Sequence, residues 1–568
     1  MLLKTMVILA AVLSLLPMAA AGEAATGLNE QLSRKIDVAV PDHPTVKPTH
    51  SRKVLVLGRE DTHPPVKAAA KMLELMARKT GAFTATFSDG TGLKPESFLQ
   101  FDAVIVNNLH GYDPFAGPRK TELQDQLREF VGNGRGLVGI HAATLAWFDW
   151  QDYGAMIGAY YVDWPWKGRE EVTVKIEDPT HPVNAAFGGK PFTIADEVYQ
   201  FREPYSRDKL HVLLSLDTAR SPKAGTRKDG DYAVSWVKNY GYGGRVFYTV
   251  LGHNNETYTR PAVVRHILDG IQFAIGDLTG ERVPSAALAA LRKNLPRQAT
   301  ARPSARRKLL VYGLPPGGQH EMGMRGLELA LEGIGKQTGA WETVLSYDGT
   351  MLTPEKLAPF DALVLNNCGN GLPGVESLET TEKVLLEHVR GGKGLMAIHT
   401  TTVFLNSGKP VANETEKAFR EMIGGCFSGH PYATPLTLKV EDPGGPLSAA
   451  FGGRTGWKIP FVDELYSFKE PYSRERVRVL LSIDTSGLPK LDPSVARTAA
   501  RADGDYAIAW IRSYGAGRVF QSALGHGVET YADVQYLRFL ADATQFVLGD
   551  LKADTKPLPL SATNSPIK

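Results

Sequence analysis

The chain has 568 residues, of which 43% are apolar and 22% are charged, and both values are typical of a soluble globular protein. Its 64 lysines and arginines nearly balance its 61 aspartates and glutamates, which argues against a nucleic-acid partner and against an acidic tail. The length exceeds one ordinary hydrophobic core and predicts two domains of roughly 200–250 residues each.

The N-terminus differs from the rest of the chain. Lys4 precedes an apolar run over residues 6–16, and three alanines follow at 19–21. This order is typical of a secretory signal peptide, so we predict that residues 1–21 are removed by cleavage after Ala21. The run is shorter than the about 20 residues that cross a membrane. We therefore expect an exported protein, periplasmic or extracellular, with no membrane span after cleavage; an uncleaved anchor is the alternative.

Residues 22–50 are polar and contain prolines, and we expect them to be extended or disordered. From residue 51 onward, short apolar runs alternate with helical patterns. The runs predict buried strands at 54–57, 103–106 and 137–140, and the patterns predict helices at 66–78 and 122–130. Further strands are predicted at 172–176, 211–215, 233–237 and 245–250, before a helix at 267–275. This order predicts an α/β fold, an open and mainly parallel sheet flanked by helices, with added strands.

Seven blocks of this first copy return in the same order in the second half of the chain. Phe101-Asp-Ala-Val-Ile-Val-Asn-Asn returns as Phe360-Asp-Ala-Leu-Val-Leu-Asn-Asn, for example, and Leu251-Gly-His returns as Leu524-Gly-His. The repeat predicts two tandem copies of one domain, at 51–278 and 308–551. Residues 279–307 are predicted to be a linker with a short helix at 286–295, and 552–568 a polar tail.

Ligands of open α/β sheets bind beyond the carboxyl ends of the strands. The polar side chains expected at this edge are His63, Asn107, His141 and His253 in the first copy and His320, Asn366, His399 and His526 in the second. Each copy also carries an Asp-Glu-x-Tyr segment, at 196–199 and 463–466. Adjacent carboxylates on a strand point to opposite faces, so we expect only one of each pair to enter a site.

Imidazole and carboxylate groups serve as general acids and bases and also as zinc ligands. We predict catalytic roles for His399, His430, His526, Glu464 and Asp463 in the second copy and for His141, His253 and Glu197 in the first. His399, His430 and His526 are the candidate ligands of a divalent metal such as zinc, although their spacing matches no metal motif. A metal-free acid–base site is the alternative. Imidazoles more than about 10 Å apart would rule out either chemistry.

The two copies differ in one region. The second reads Gly424-Gly-Cys-Phe-Ser-Gly-His-Pro, whereas the first lacks the histidine and is rich in tryptophan. Clustered tryptophans pack a core or offer flat faces to sugar rings, and both readings stay open. On the second reading, we predict that Trp147, Trp164 and Trp166 contact the substrate. The other predicted substrate contacts are Asn107, Asn366, His63, His320, Tyr199 and Tyr466.

The strand-end turns carry His141-Ala142 and His399-Thr400, with no serine or cysteine where a nucleophile elbow would place one. This argues against acyl transfer through such a nucleophile. The chain has two cysteines, Cys368 and Cys426, and the sequence allows a disulfide or two buried thiols equally.

Taken together, these blocks resemble the trehalose-utilisation (ThuA-like) family. The carrying residues are Gly139-Ile-His-Ala-Ala, the Gly-Gly-x-Phe-x-x-His-Pro of the second copy, the Asp-Glu-x-Tyr segments and the closing Gly-Arg-Val-Phe…Leu-Gly-His. The resemblance implies a fold similar to class I glutamine amidotransferases without their cysteine nucleophile. It also implies a link to sugar breakdown, including disaccharides oxidised to 3-keto forms.

The resemblance favours an exported carbohydrate-active enzyme whose partner is a small-molecule sugar and whose reaction is isomerisation, elimination or hydrolysis. Because the first copy departs from the Gly-Gly-x-Phe-x-x-His-Pro block, we expect the chemistry in the second. A non-catalytic carbohydrate-binding protein, with the tryptophan-rich copy as its binding module, is the main alternative. A third possibility is that one copy serves only as a scaffold.

Overall fold

The structure is a computed structural model that describes residues 28–60, 63–241, 243–314, 320–369, 371–372, 374–405, 411–432 and 435–559. The predicted signal peptide lies outside these ranges. The chain forms two compact units, the first made of Met1–Tyr205, Val212–Val237 and Gly244–Gly280 and the second of the remaining residues. We call the two sheet-containing copies domain 1 and domain 2. Within the described ranges, no helix is both long enough and apolar enough to cross a membrane.

Domain 1 is built on a sheet of nine strands in the order β2-β1-β3-β4-β11-β10-β9-β6-β7. The strands of the domain are β1 Lys53–Leu57, β2 Thr84–Ser88, β3 Ala103–Asn107, β4 Gly136–Ile140, β5 Tyr160–Trp166, β6 Glu171–Ile176, β7 Phe192–Ala195, β8 Val198–Arg202, β9 His211–Leu216, β10 Ala233–Tyr240 and β11 Gly244–Thr249. The five strands from β2 to β11 pair in parallel, and β6 pairs antiparallel with β7 and β9. Strands β5 and β8 form a separate antiparallel pair.

The helices of domain 1 are α1 Glu30–Ala39, α2 Val66–Thr80, α3 Lys120–Gly132, α4 Gln151–Ile157 and α5 Pro261–Ala274. Strands β3 and β4 are buried along their whole length, as the continuous apolar runs predict. Helix α2 instead buries the alanines, leucines and methionines of one face and ends at Gly81, whose φ of 62° suits glycine.

Domain 2 repeats this arrangement, with the order β13-β12-β14-β15-β22-β21-β20-β17-β18. Its strands are β12 Lys308–Gly313, β13 Glu342–Ser346, β14 Ala362–Asn366, β15 Gly394–Ile398, β16 Cys426–Gly429, β17 Thr437–Val440, β18 Gly456–Lys458, β19 Ser467–Lys469, β20 Arg478–Ile483, β21 Ala507–Tyr514 and β22 Gly517–Ser522. Its helices are α6 Ser285–Asn294, α7 Glu321–Thr338, α8 Pro354–Leu357, α9 Leu378–Arg390, α10 Thr401–Phe404, α11 Glu414–Ile423, α12 Pro493–Ala499 and α13 Val534–Leu548.

The predicted fold class is confirmed, since each domain is a mostly parallel sheet flanked by helices. The added strands of domain 2 run antiparallel to their neighbours, from β22 to β18. Cys368 and Cys426 are both free and buried, which decides between the two cysteine alternatives.

Residues 22–50 are not simply extended, because they contain helix α1. Helices α1 and α6 begin at the same distance before β1 and β12, so the helix foreseen in the linker repeats one before domain 1. In each copy, a glutamine of the last helix binds the backbone segment that connects this first helix to the first strand. Gln272 Oε1 accepts from the Thr45 N–H at 2.8 Å, and Gln545 Oε1 accepts from the Thr300 N–H at the same distance.

Candidate functional site

The site of each domain begins at the end of a central parallel strand. His141 follows β4 and His399 follows β15, and both have φ 47°. Few non-glycine residues adopt this left-handed backbone conformation, and where they do the residue is often functional. In enzymes with a nucleophile elbow, the turn between strand and helix presents the nucleophile. In this protein, the corresponding turn presents an imidazole.

The ring of His399 is held in one orientation. Its Nδ1–H donates to the Ala523 carbonyl, so in the neutral ring Nε2 carries the free lone pair. The Tyr466 hydroxyl lies 2.9 Å from Nε2 and donates to it. Domain 1 repeats the arrangement, with His141 bonded to the Val250 carbonyl at 2.6 Å and to the Tyr199 hydroxyl at 2.5 Å.

The Asp-Glu pairs divide as the alternation along a strand predicts. Asp463 is buried and accepts hydrogen bonds from the backbone N–H groups of Glu464, Gly525 and His526 and from the Thr530 hydroxyl. The predicted catalytic role of Asp463 is therefore corrected to a structural one, because its oxygens are occupied in fixing the loop that carries His526. Asp196 binds the corresponding loop of domain 1 in the same way.

Glu464 is the carboxylate that enters the site. Its Oε2 lies 3.6 Å from His399 Nε2 and 3.3 Å from His526 Nδ1. Burial opposes ionisation of Glu464, but the two histidines hold its pKa well below the usual range. The same carboxylate raises the pKa of His526.

His320 completes a cluster of four potential ligands. Its Nδ1 lies 3.1 Å from His526 Nδ1, and desolvation together with the neighbouring His399 and His526 lowers its pKa to about 3. One ligand atom from each of His320, His399, Glu464 and His526 lies within 4.8 Å of the other three. Among the residues that the structure describes, no other group of histidines, cysteines and carboxylates is as tight.

The predicted metal set of His399, His430 and His526 is corrected accordingly. His430 is not in the cluster of four; its ring lies 5.1 Å from that of Tyr466. His430 and Tyr466 both line a cavity of about 160 Å³, together with Leu314, His320, Asn367, Gly369, Thr400, Val403, Phe427 and Glu464. Three predicted members of the site, His320, Glu464 and Tyr466, therefore share this cavity with His430.

Domain 1 also assembles a group of imidazoles, with ring spacings similar to the 4.8–5.7 Å of domain 2. The ring centres of His63, His141 and His253 lie 5.4–5.6 Å apart, and His110 lies 5.6 Å from His63. Glu197 lies 3.7 Å from His141 Nε2 and 3.6 Å from His253 Nε2. Burial raises the pKa of Glu197, opposite to the direction at Glu464.

Asn107 and Asn366 stand behind the site rather than in it, which corrects their predicted contact with substrate. Both are buried, and their amides donate to the carbonyls of Val66 and Met324, tying a strand to the neighbouring helix. The next residue along is the one that reaches the cavity in domain 2. This is Asn367, with φ 53°.

The tryptophans of domain 1 divide between core and surface. Trp166 has no exposed area and packs edge-to-face on Tyr232, while Trp147 is 4% exposed and donates its indole N–H to Asp113. The predicted stacking of sugar on Trp147 and Trp166 is therefore corrected, because neither ring presents a free face. Trp164 is 41% exposed, but the Lys167 ammonium lies 4.1 Å from its ring centre.

Strand pairing shows which residue replaces His430 in domain 1. Asp163 pairs with Gln200 in β5–β8, and Gly429 pairs with Ser467 in β16–β19. Because Gln200 and Ser467 each follow the Tyr of an Asp-Glu-x-Tyr segment, Trp164 and His430 occupy the same position. The exposed tryptophan of domain 1 thus stands where domain 2 has its cavity histidine.

The sequence profile described as "ThuA: Trehalose utilisation" matches residues 53–274 and 308–547, one range in each domain. The chain belongs to the ThuA family. Its membership relates the chain to carbohydrate metabolism, and the predicted family and tandem domains are confirmed.

Among solved structures, a putative ThuA-like protein from Bacteroides uniformis ATCC 8492 shares 19% identity with a TM-score of 0.35, and the match covers 43% of this chain and 92% of that one. A putative ThuA-like protein from Parabacteroides merdae ATCC 43184 shares 15% identity with a TM-score of 0.32, over 45% and 98% of the two chains. No curated protein matches the ThuA chain described here.

Sequence reasoning missed two features of the clefts. His110 lies two residues after Asn108, and its counterpart after Asn367 is Gly369. A Cβ at Gly369 would lie 2.8 Å from the Thr400 side chain, so domain 2 has no room for a side chain at this position. Both positions lie two residues after the second asparagine of an Asn-Asn pair, and comparing the two copies there would have identified the difference.

Proposed function

We propose that this ThuA protein is an exported enzyme of carbohydrate catabolism that acts on sugars or keto-sugar glycosides, by isomerisation, elimination or hydrolysis. The chemistry belongs to domain 2. The observation that carries the proposal is the position of Glu464, whose carboxylate lies between two histidines on the wall of a cavity.

Groups of this kind suit proton transfer at a sugar. Glu464 and the histidines around it supply acids and bases within a few ångströms of one another, and proton transfer by a positioned side chain contributes about 10²–10⁴-fold to a rate. Removal of a proton beside a ketone starts isomerisation or elimination, which connects these residues with 3-keto sugars. The cavity of about 160 Å³ is smaller than the about 300–1,000 Å³ of typical ligand pockets, and this favours one sugar ring as the occupant.

Export is proposed from the sequence. Lys4, the apolar run 6–16 and the alanines at 19–21 support a cleaved signal peptide, and such a peptide supports a location in the periplasm or outside the cell.

The proposal is tested with disaccharides, including trehalose, and their 3-keto forms as substrates of the purified chain. Wild type is expected to convert at least one of them, and His430→Ala is expected to lose turnover because this exposed imidazole lines the cavity without belonging to the core. Trp164→Ala is the matched control at the same position of domain 1 and is expected to keep turnover. Sugar binding that depends on Trp164, without conversion of any substrate, would support the non-catalytic binding protein instead.

A further inference from the structure

We propose that domain 2 binds one divalent transition-metal cation through His320, His399, Glu464 and His526. The inference deepens the proposed function and rests on it, because the proposed function assigns the reactive cleft to domain 2. It concerns a resident ion of the site and makes no assumption about the sugar.

The spacing of the four side chains carries the inference. Ligand atoms that share one cation at about 2.0–2.2 Å lie about 3.0–3.6 Å from each other, across tetrahedral or octahedral edges. The distances from His320 Nδ1 to His526 Nδ1, from His526 Nδ1 to Glu464 Oε2 and from Glu464 Oε2 to His399 Nε2 are 3.1, 3.3 and 3.6 Å. These three distances fall in this range, and all pairs of ligand atoms among the four residues lie within 4.8 Å.

The donor chemistry narrows the class of cation. Three imidazoles and one carboxylate suit zinc and its first-row neighbours, whereas calcium and magnesium prefer oxygen ligands throughout. The cluster also brings one negative charge and no fixed positive charge, which a divalent cation complements. A cation that accepts five or six ligands keeps positions for substrate oxygens.

The protein already orients the most buried ligand. Metal-bound histidines usually donate their second ring N–H to a carbonyl or carboxylate, which fixes the tautomer. His399 does so through Nδ1 and the Ala523 carbonyl. Its Nε2 lone pair is shared with one competitor, the Tyr466 hydroxyl, at 2.9 Å.

A close backbone approach explains why the cluster is tight in domain 2. A Cβ at Gly323 would lie 2.1 Å from the Gly525 carbonyl oxygen, so only glycine lets the first turn of α7 lie against the loop that carries His526. Counted back from the helix-ending Gly81 and Gly339, the counterpart of Gly323 in domain 1 is Pro65, whose ring needs more room. This contact brings His320 and His526 together in domain 2.

The test is metal analysis of the full chain, stripped with a chelator, reloaded with Zn²⁺ and dialysed. Wild type is expected to keep one zinc per chain. Glu464→Gln is expected to weaken binding by about 100-fold or more, since even indirect partners of a metal site contribute about 10–100-fold. Glu197→Gln, the matched variant of domain 1, is expected to keep the wild-type stoichiometry and affinity.

Tyr466→Phe gives a signature that structural damage would not produce. Removing the competitor for the His399 lone pair is expected to tighten zinc binding by about fivefold, the equivalent of one hydrogen bond. Circular dichroism and thermal unfolding confirm that each variant is folded. Glu464→Gln preserves shape at a partly exposed position and suits this comparison.

The inference is overturned if wild type keeps no zinc, if Glu464→Gln binds zinc as well as wild type, or if zinc is lost from Glu197→Gln instead. Metal content is read without substrate. A zinc-free protein that converts keto sugars therefore overturns this inference alone, whereas a zinc-loaded protein that converts none of them counts against the proposed function alone.

Discussion

Domain 1 and domain 2 each hold a histidine in the same backbone conformation at the end of an equivalent strand, yet the side chains around the two histidines differ. In both, a tyrosine hydroxyl and a backbone carbonyl bind the ring, and a buried aspartate ties the neighbouring loop. In domain 2, ligand atoms of three imidazoles and one carboxylate lie within 4.8 Å of one another. The imidazoles of domain 1 have similar ring spacings but form no such group of ligand atoms among the described residues.

The difference teaches that the duplicated framework and the reactive groups follow separate constraints. Strand ends and buried hydrogen bonds position the first histidine in both copies. Small residues decide what joins it: Gly323 and Gly369 in domain 2 stand where domain 1 has Pro65 and His110. A site can therefore be opened or closed by loop residues while the sheet stays unchanged.

The largest expected effect separates the two carboxylates. Glu464→Gln is expected to lower kcat by about 10²–10⁴-fold, because the amide cannot act as a base or as an anionic ligand. Glu197→Gln is expected to change kcat by less than about twofold if domain 2 carries the reaction. Steady-state kinetics with the best keto-sugar substrate measure both, and equal losses would show that the two clefts act together.

The second effect separates the tryptophans. Trp166→Ala is expected to destabilise domain 1 by about 3–5 kcal/mol, the usual cost of deleting a buried aromatic ring. Trp164→Ala is expected to cost less than about 0.5 kcal/mol because its side chain is largely at the surface. Urea unfolding of the full chain compares the two variants, and a large loss for Trp164→Ala would contradict their assignment to surface and core.

The third effect concerns acid. Domain 1 buries His266 between Phe187 and Phe247, with hydrogen bonds to Ser235 and the Val183 carbonyl. Burial lowers the pKa of His266 to about 4, so between pH 6.5 and 4 the unfolded chain binds a proton that the folded domain does not. The contribution of His266 to the stability of domain 1 is therefore expected to fall by about 3 kcal/mol as pH drops from 7 to 4.

Domain 2 supplies the control for this prediction. Its counterparts of His266 and Ser235 are Phe539 and Ala509, and Phe539 packs against Phe451 and Phe520. The double variant Ser235→Ala/His266→Phe copies this apolar solution and is expected to remove the His266 contribution. Hydrogen exchange of α5 at pH 7 and pH 4 measures it, and an unchanged pH dependence in the double variant would contradict the prediction.

The smallest effect is one in which the domains should agree. Gln272→Ala and Gln545→Ala each release a backbone segment held by a buried amide, and both are expected to cost about 1–3 kcal/mol. Hydrogen exchange of residues 44–47 and 299–302 is the measurement. Loss of protection in only one variant would show that the two tethers are not equivalent.

The sequence predicted the central strands and the site-bearing edge because buried parallel strands and strand-end polar residues leave local patterns. It could not show that Glu464 rather than Asp463 enters the site, although alternation along a strand predicted that only one of them does. Strands β2 and β5 were missed because their burial is mixed. The cluster contains His320 instead of the predicted His430 because the backbone approaches closely at Gly323, and no sequence pattern reveals a distance of that kind.

The most direct test of the central claim is anomalous X-ray diffraction from crystals of the full chain soaked in Zn²⁺. We expect one strong peak in domain 2, about 2.0–2.2 Å from ligand atoms of His320, His399, Glu464 and His526. A peak among His63, His141 and His253 with none in domain 2, or no peak in either cleft, would contradict the claim that domain 2 holds the reactive centre around a bound cation.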